Sequence, residues 1–130
     1  MRLKRHLVLL TLLALSAPYL AGCGALIAGG AAAAGTYIYT EGRLQRTYDV
    51  DLNRAYQASL AGAQQMNLKV TEQNKEIAQA DIRAEQQDGT PVWISLETKG
   101  EGQTQISVRV GYTGDEQASR RVHEAIAKRL

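Results

Sequence analysis

Beyond residue 50 the apolar positions change period twice. Leu52, Ala55, Tyr56, Ser59, Leu60, Ala63 and Met66 recur every three or four residues, which predicts an amphipathic helix over Leu52 to Met66. Asp49 or Asp51 can cap its start, because a short side-chain oxygen accepts from the free amides of a first turn, and Asn67 suits its end. From Leu68 the period falls to two. Leu68 and Val70 alternate with Lys69 and Thr71, Gln73-Asn74-Lys75 reads as a turn or irregular crossing, and Ala80, Ile82 and Ala84 alternate with Asp81, Arg83 and Glu85. Asp88-Gly89 marks a hairpin, since a tight turn needs positive φ. Val92, Ile94 and Leu96 then alternate with Trp93, Ser95 and Glu97, Gly100-Glu101-Gly102 turns the chain, and Ile106, Val108 and Val110 alternate with Ser107 and Arg109. Helical spacing returns at Ala118, Val122, Ala125, Ile126 and Leu130, preceded by Thr113 and Glu116 at capping-box spacing.

These elements predict an α+β domain: a four-stranded antiparallel meander with both helices packed on its one apolar face. A short extra N-terminal strand over Arg43 to Asp49 can precede it. The other sheet face carries Arg83, Glu85, Trp93, Glu97 and Arg109.

The first twenty-three residues follow a different rule. Met1 to His6 is a basic stretch, Leu7 to Leu15 is apolar, Pro18 breaks the run, and the small residues Ala21 and Gly22 precede Cys23. That is the layout of a secretory signal, and its apolar part is shorter than the roughly twenty residues of a membrane span. The tetrapeptide Leu20-Ala21-Gly22-Cys23 resembles the lipobox of bacterial lipoproteins. The resemblance implies cleavage between Gly22 and Cys23 and acyl chains on Cys23, with Gly24 in place of Asp implying release to the outer membrane. Two or three chains would hold nearly permanently, at roughly 0.8 kcal/mol per buried methylene.

This placement changes the reading of composition. The whole chain has 130 residues and net charge +2, but Arg2, Lys4 and Arg5 fall in the leader, so the mature chain carries one more acidic than basic residue. Such a chain lacks the basic balance that nucleic acid requires. The single Cys cannot form an internal disulfide, and lipidation accounts for it. With no Phe and one Trp, the core must be aliphatic and tyrosine-based.

The expected organisation is a signal peptide over 1–22, the lipidated Cys with a small-residue tether over 23–40, and the α+β periplasmic domain over 41–130. Gly24 to Thr40 is uncharged and mostly Gly and Ala. It is a flexible tether, a helix lying in the inner bilayer face, or a self-associating helix with Ala25, Gly29 and Ala33 on one line. At about 1.5 Å per residue a helix of this length falls short of the hydrocarbon thickness.

Three stretches, AYQASLAGAQQMNLKVTE, DGTPVWISLE and ISVRVGYTGDEQASRRVHEAI, resemble a family of small bacterial lipoproteins of unknown function, domain-of-unknown-function family three-five-six-eight. The family pattern of an IRVG strand, a GDE turn and a Ser entering the next helix falls here on Val108 to Gly111, Gly114 to Glu116 and Ser119, with Val108 where Ile is common. The resemblance supports fold and location and implies no activity.

The inventory of reactive groups is short. His123 is the one histidine outside the leader, and it has no second His, Cys or acidic cluster at metal-ligand spacing, so it reads as a surface residue near Glu124 or Arg120. Ser59, Ser95, Ser107 and Ser119 have only that base to choose from, and no G-x-S-x-G or phosphate-loop motif occurs. GYTGDE reads as a strand-to-helix turn, and Asp115 and Glu116 disfavour an anion there. Trp93, Arg109 and Tyr112 are the candidate interaction residues, with Trp93 either a partner anchor or covered by another element. The expectation is a non-enzymatic binding module of the cell envelope, without metal or cofactor, held to the membrane by N-terminal acyl chains, with an unknown envelope protein as partner. The alternative is a carrier of a small apolar ligand or lipid in a cleft between helices and sheet.

Mass analysis of the protein from its native membrane is expected to show residues 1–22 removed and a diacylglycerol thioether on Cys23. Cys23→Ala is expected to keep the leader uncut. A free thiol, or an intact leader on the wild type, would contradict the lipobox reading.

Overall fold

The computed structural model describes residues 35–130. Cys23, the cleavage site at Gly22 and most of the Gly/Ala-rich tether lie outside them.

The domain is α+β. Its strands are β1 (Ile38–Thr40), β2 (Arg43–Tyr48), β3 (Lys69–Lys75), β4 (Gln79–Glu85), β5 (Pro91–Gly100) and β6 (Gln103–Val110). Its helices are α1 (Leu52–Gln65) and α2 (Glu116–Ala127). All six strands form one antiparallel sheet in the order β1-β2-β6-β5-β4-β3. The sheet therefore has six strands where the residue pattern predicts four and a short extra one. The extra strand over 43–49 is β2, inserted beside β6. The sixth is β1, inside the segment assigned to the tether. All three of its residues are exposed, so it shows no alternation, and it exists by pairing Ile38, Tyr39 and Thr40 with Gln45, Leu44 and Arg43.

Strict alternation builds the centre. Ala80, Ile82, Ala84, Val92, Ile94, Leu96, Ile106, Val108 and Val110 point to one face and are at most 3% exposed. Each buried Val, Leu or Ile side chain among them contributes about 1.5–3 kcal/mol, and each Ala less. Both helices pack on this face, α1 chiefly over β4 and β5 and α2 over β6 and β2. They meet at Gly62, where a Cβ would lie 3.0 Å from the Ile126 backbone nitrogen. The absent side chain lets the helices approach closely.

Local chemistry sets the helix ends. Asp51, not Asp49, is the α1 N-cap, accepting from the Arg54 amide at 2.7 Å. Asn67 takes φ +56, and the Asn67 and Leu68 amides donate back to Gln64 and Ala63, a Schellman closure with Asn where Gly is commoner. At α2 the expected capping box does not form. The helix starts at Glu116, so Thr113 lies too far ahead, and Asp115 caps by accepting from the Ala118 amide at 3.0 Å. Gly114, at φ +83, makes the bend before it.

The Gln73-Asn74-Lys75 segment is also corrected. It stays extended, and the turn comes at Glu76, whose amide donates to the Gln79 carbonyl at 2.8 Å. β3 is an edge strand whose side chains are almost all exposed, so burial imposes no alternation there. The Asp88-Gly89 hairpin forms as read, with Gly89 at φ +84 and the Asp88 carboxylate accepting from the Thr90 amide at 2.9 Å.

The β1–β2 turn rests directly on the entrance to α2: a Cβ at Gly114 would fall 2.5 Å from the backbone of Gly42. Gly114→Ala combines that backbone clash with an unfavourable positive φ. It is expected to destabilise the domain by about 1–3 kcal/mol in urea unfolding. Gly89→Ala, which meets nothing within 4 Å, is expected to cost less.

Candidate functional site

The helix-free face of the sheet has a chemical order of its own. Cross-strand register aligns Glu72 of β3, Arg83 of β4, Trp93 of β5 and Arg109 of β6 in one row. Arg43 of β2 follows one residue before Leu44, which pairs with Val108. Trp93 is half-buried in this row, with the Arg83 and Arg109 guanidinium carbons 5.7 and 5.8 Å from its ring centre. Each contact is of the cation–π kind, worth about 0.5–1 kcal/mol at such exposure.

Tyr112, 73% exposed, meets the Trp93 ring edge-on at 5.8 Å. Arg109 fastens that loop: its guanidinium donates to the carbonyls of Gly111 and Tyr112. The structure thus brings Trp93, Arg109 and Tyr112 together, and among the described residues Trp93 is flanked by arginines on neighbouring strands. Beside it runs a groove of about 500 Å³ bounded by Arg43, Arg83, Glu72, Asp81 and Ser95. Arg43 is absent from the residues that alternation placed on this face, because β2 could not be assigned to the sheet from its pattern. A second depression of about 580 Å³ lies between the end of α1 and β3, lined by Leu60, Leu68 and Val70, and is open to solvent.

His123 is the largest departure from the sequence reading. It is fully buried, not a surface residue. Its Nε2 lies 2.8 Å from the Leu44 carbonyl oxygen and its Nδ1 lies 2.9 Å from the Tyr48 hydroxyl. A carbonyl only accepts, so Nε2 carries the proton; Nδ1 of the neutral ring then accepts from Tyr48. Burial pushes the imidazole down to about 4, helped by the Arg46 and Arg120 charges and opposed by the bond to Leu44. Burial likewise raises the Tyr48 phenol.

Tyr37, from residues 35–37 that lead into β1 and form the neck of the domain, caps this pair. Its ring stands edge-on to His123 at 5.2 Å and is held on its faces by Arg46 at 4.4 Å and Arg120 at 4.6 Å. Arg46 also donates to the Gly35 carbonyl at 2.8 Å, and the Gly35 amide donates to Thr47 at 2.7 Å. With both ring nitrogens engaged and the ring covered, His123 is placed as a structural residue. Among the described residues no three His, Cys, Asp or Glu side chains gather as a metal site.

A family model described as "Protein of unknown function (DUF3568)" matches residues 6–129. No curated protein matches the chain.

The His123 environment sets a pH dependence. Its folded-state value near 4 lies below the ordinary 6.5, so the unfolded chain binds the proton first as pH falls. Stability from this group is complete above about pH 6.5, declines down to about pH 4, and totals about 3 kcal/mol. Urea unfolding between pH 7.5 and 4 is expected to show this loss in the wild type. His123→Gln is expected to be less stable at pH 7.5 but to show a flatter slope; an unchanged slope would contradict the assignment.

Proposed function

The chain belongs to the DUF3568 family, and on that premise we propose that it is a non-enzymatic lipoprotein of the cell envelope, anchored to the outer membrane on its periplasmic side through acyl chains on Cys23. Its domain is an interaction module for an envelope partner. The lipobox resemblance supports the anchor. The interaction surface is the helix-free face at its Trp93–Arg109–Tyr112 corner, and the observation that carries this is the exposure there of a fastened aromatic pair set among arginines. Aromatic and Arg side chains held in place are the types that dominate binding energy at protein interfaces.

The ends of the sheet support the same reading. Gly35, where the neck enters, bonds to Thr47 near the end that carries Asp49, Asp51, Glu76 and Glu101. Trp93 and Tyr112 sit toward the opposite end, beside the Asp88-Gly89 and β1–β2 turns. The described start of the domain at Gly35 is therefore at the end of the sheet away from their corner. The carrier reading requires an interior cleft between helices and sheet. That layer is instead filled by Leu44, Ile94, Ile106, Val108, Val122 and Ile126, all at 0% exposure, with Ile126 against Gly62. The depression beside Leu60 lies outside it. Self-association through residues 24–40 remains part of the proposal only for the residues that precede the docked stretch, since Gly35, Tyr37 and Ile38–Thr40 are engaged by the domain.

Crosslinking of the lipidated protein in cells, followed by partner identification, tests the module. Tyr112→Ala removes an exposed ring and is expected to change stability by less than about 0.5 kcal/mol while weakening crosslinks severalfold or more. Trp93→Ala is expected to weaken them further. Unchanged crosslinks in both variants would sink the assignment of this face.

A further inference from the structure

The groove beside Trp93 has a chemistry that narrows what it can hold. Arg109 is occupied by loop carbonyls, but the guanidinium groups of Arg43 and Arg83 make no hydrogen bond to any described residue and have no described carboxylate within 4.0 Å. Both bound the same groove of about 500 Å³. They rise from β2 and β4, which have β6 and β5 between them, hence three strand spacings or about 14 Å apart at the backbone. Long arginine side chains from those positions can reach a shared ligand with Trp93 between them. A guanidinium is a planar fork of donors matched to a carboxylate or phosphate.

The groove is not uniformly cationic. Glu72 faces Arg83 in register, and Asp81 accepts from the Ser95 hydroxyl at 2.8 Å. Both line the same space, with Asn74. A polyanion, or a flat anionic lipid surface, laid along the groove would meet these carboxylates. Ionised carboxylates only accept, so they call for hydroxyl or N–H donors on the ligand. Trp93 supplies a flat apolar wall with a polarised face. One negative group, several hydroxyl donors and an apolar face of ring size together describe a sugar acid. The volume lies within the range of small-ligand sites, about 300–1,000 Å³.

We infer that the groove between Arg43 and Arg83 binds an acidic saccharide, a sugar bearing a carboxylate or phosphate group. The arginines take the anion, Asp81 and Asn74 take ring hydroxyls, and the Trp93 indole packs on the sugar. This rests on the helix-free face being the interaction surface, and it names what that surface recognises.

Trp93 is the only tryptophan of the chain, so indole fluorescence of the purified full-length protein in detergent reads the site directly. The probes are glucuronic acid, glucose 6-phosphate, glucose, inorganic phosphate and a Glu-rich hexapeptide. A saturable change is expected with glucuronic acid, glucose 6-phosphate or both, and which responds separates carboxylate from phosphate. Glucose and inorganic phosphate are expected to bind at least about tenfold more weakly, each lacking one half of the recognition. Arg43→Gln and Arg83→Gln are each expected to weaken the responding sugar by about tenfold or more, with the melting temperature unchanged for Arg43→Gln and lowered by no more than several degrees for Arg83→Gln, which also loses its contact with Trp93. No saturation with either acidic sugar overturns the proposal, as does equal binding of inorganic phosphate or glucose. Tighter binding of the peptide overturns it in favour of an acidic protein segment. If the sugars fail while Tyr112→Ala still removes crosslinks, the ligand class is wrong and the face stands. If the sugars titrate while crosslinks persist in Trp93→Ala, the protein-partner reading of the face falls and the saccharide site stands.

Discussion

One buried imidazole holds this domain in register. His123 joins the Leu44 carbonyl to the Tyr48 hydroxyl, and so ties α2 to β2 within a largely apolar layer. A buried polar atom left without a partner costs about 1–3 kcal/mol, so sliding α2 along the sheet would strand both ring nitrogens and the Tyr48 hydroxyl together. Apolar packing alone would not discriminate as sharply, because neighbouring aliphatic side chains can exchange contacts at modest cost. The neck depends on the same point. Tyr37 finds its place only because His123, Arg46 and Arg120 offer it an edge and two cationic faces. At the other end of the sheet the close approach of Gly42 and Gly114 sets the distance between the first hairpin and the α2 entrance. These two contacts fix where the N-terminal hairpin lies, and through it the position of Arg43 on the opposite face.

The two faces of the sheet divide the work. The inner face is covered by both helices, and among the described residues the layer between is filled by aliphatic side chains. The outer face is mostly polar and places Trp93 among arginines, three of which share a row. Mixed charge keeps that face soluble, while the Trp93 and Tyr112 rings give it a local apolar centre. The exposed edges are managed differently: β1 has three residues, and β3 carries Lys69, Glu72 and Lys75, so neither offers a long neutral strand for pairing with another chain.

The meander from Ala80 to Val110 was legible in the residues because its strands are covered on one face only, and burial then enforces a period of two. The helices were legible for the parallel reason, since α1 and α2 each bury one stripe. Legibility failed where burial gives no periodic signal. Ile38–Thr40 is exposed throughout, and Gln73 to Lys75 lies on an edge. It failed again where the partners are distant: the residues that claim His123 lie 79 and 75 positions earlier, and a histidine next to Arg120, Arg121 and Glu124 looks like a surface residue until the helix is docked. At the interaction face Trp93, Arg109 and Tyr112 could be read from alternation and the loop between them, and Arg83 from its hairpin partner. Arg43 could not, because only the pairing of β2 with β6 brings it to that side.

The neck enters the domain as part of the sheet, not as a loose end, and this governs how the domain would bear a load. Antiparallel hydrogen bonds lie perpendicular to their strands. The bonds from Gly35 and β1 to β2 therefore stand side by side across any force that draws the chain out along the strand axis. Such a force shears them, and they must yield together with the Tyr37 clasp. A force directed across the sheet would instead open them singly, like a zip. The domain is accordingly strongest against a pull along the strand through which its own N-terminal segment arrives.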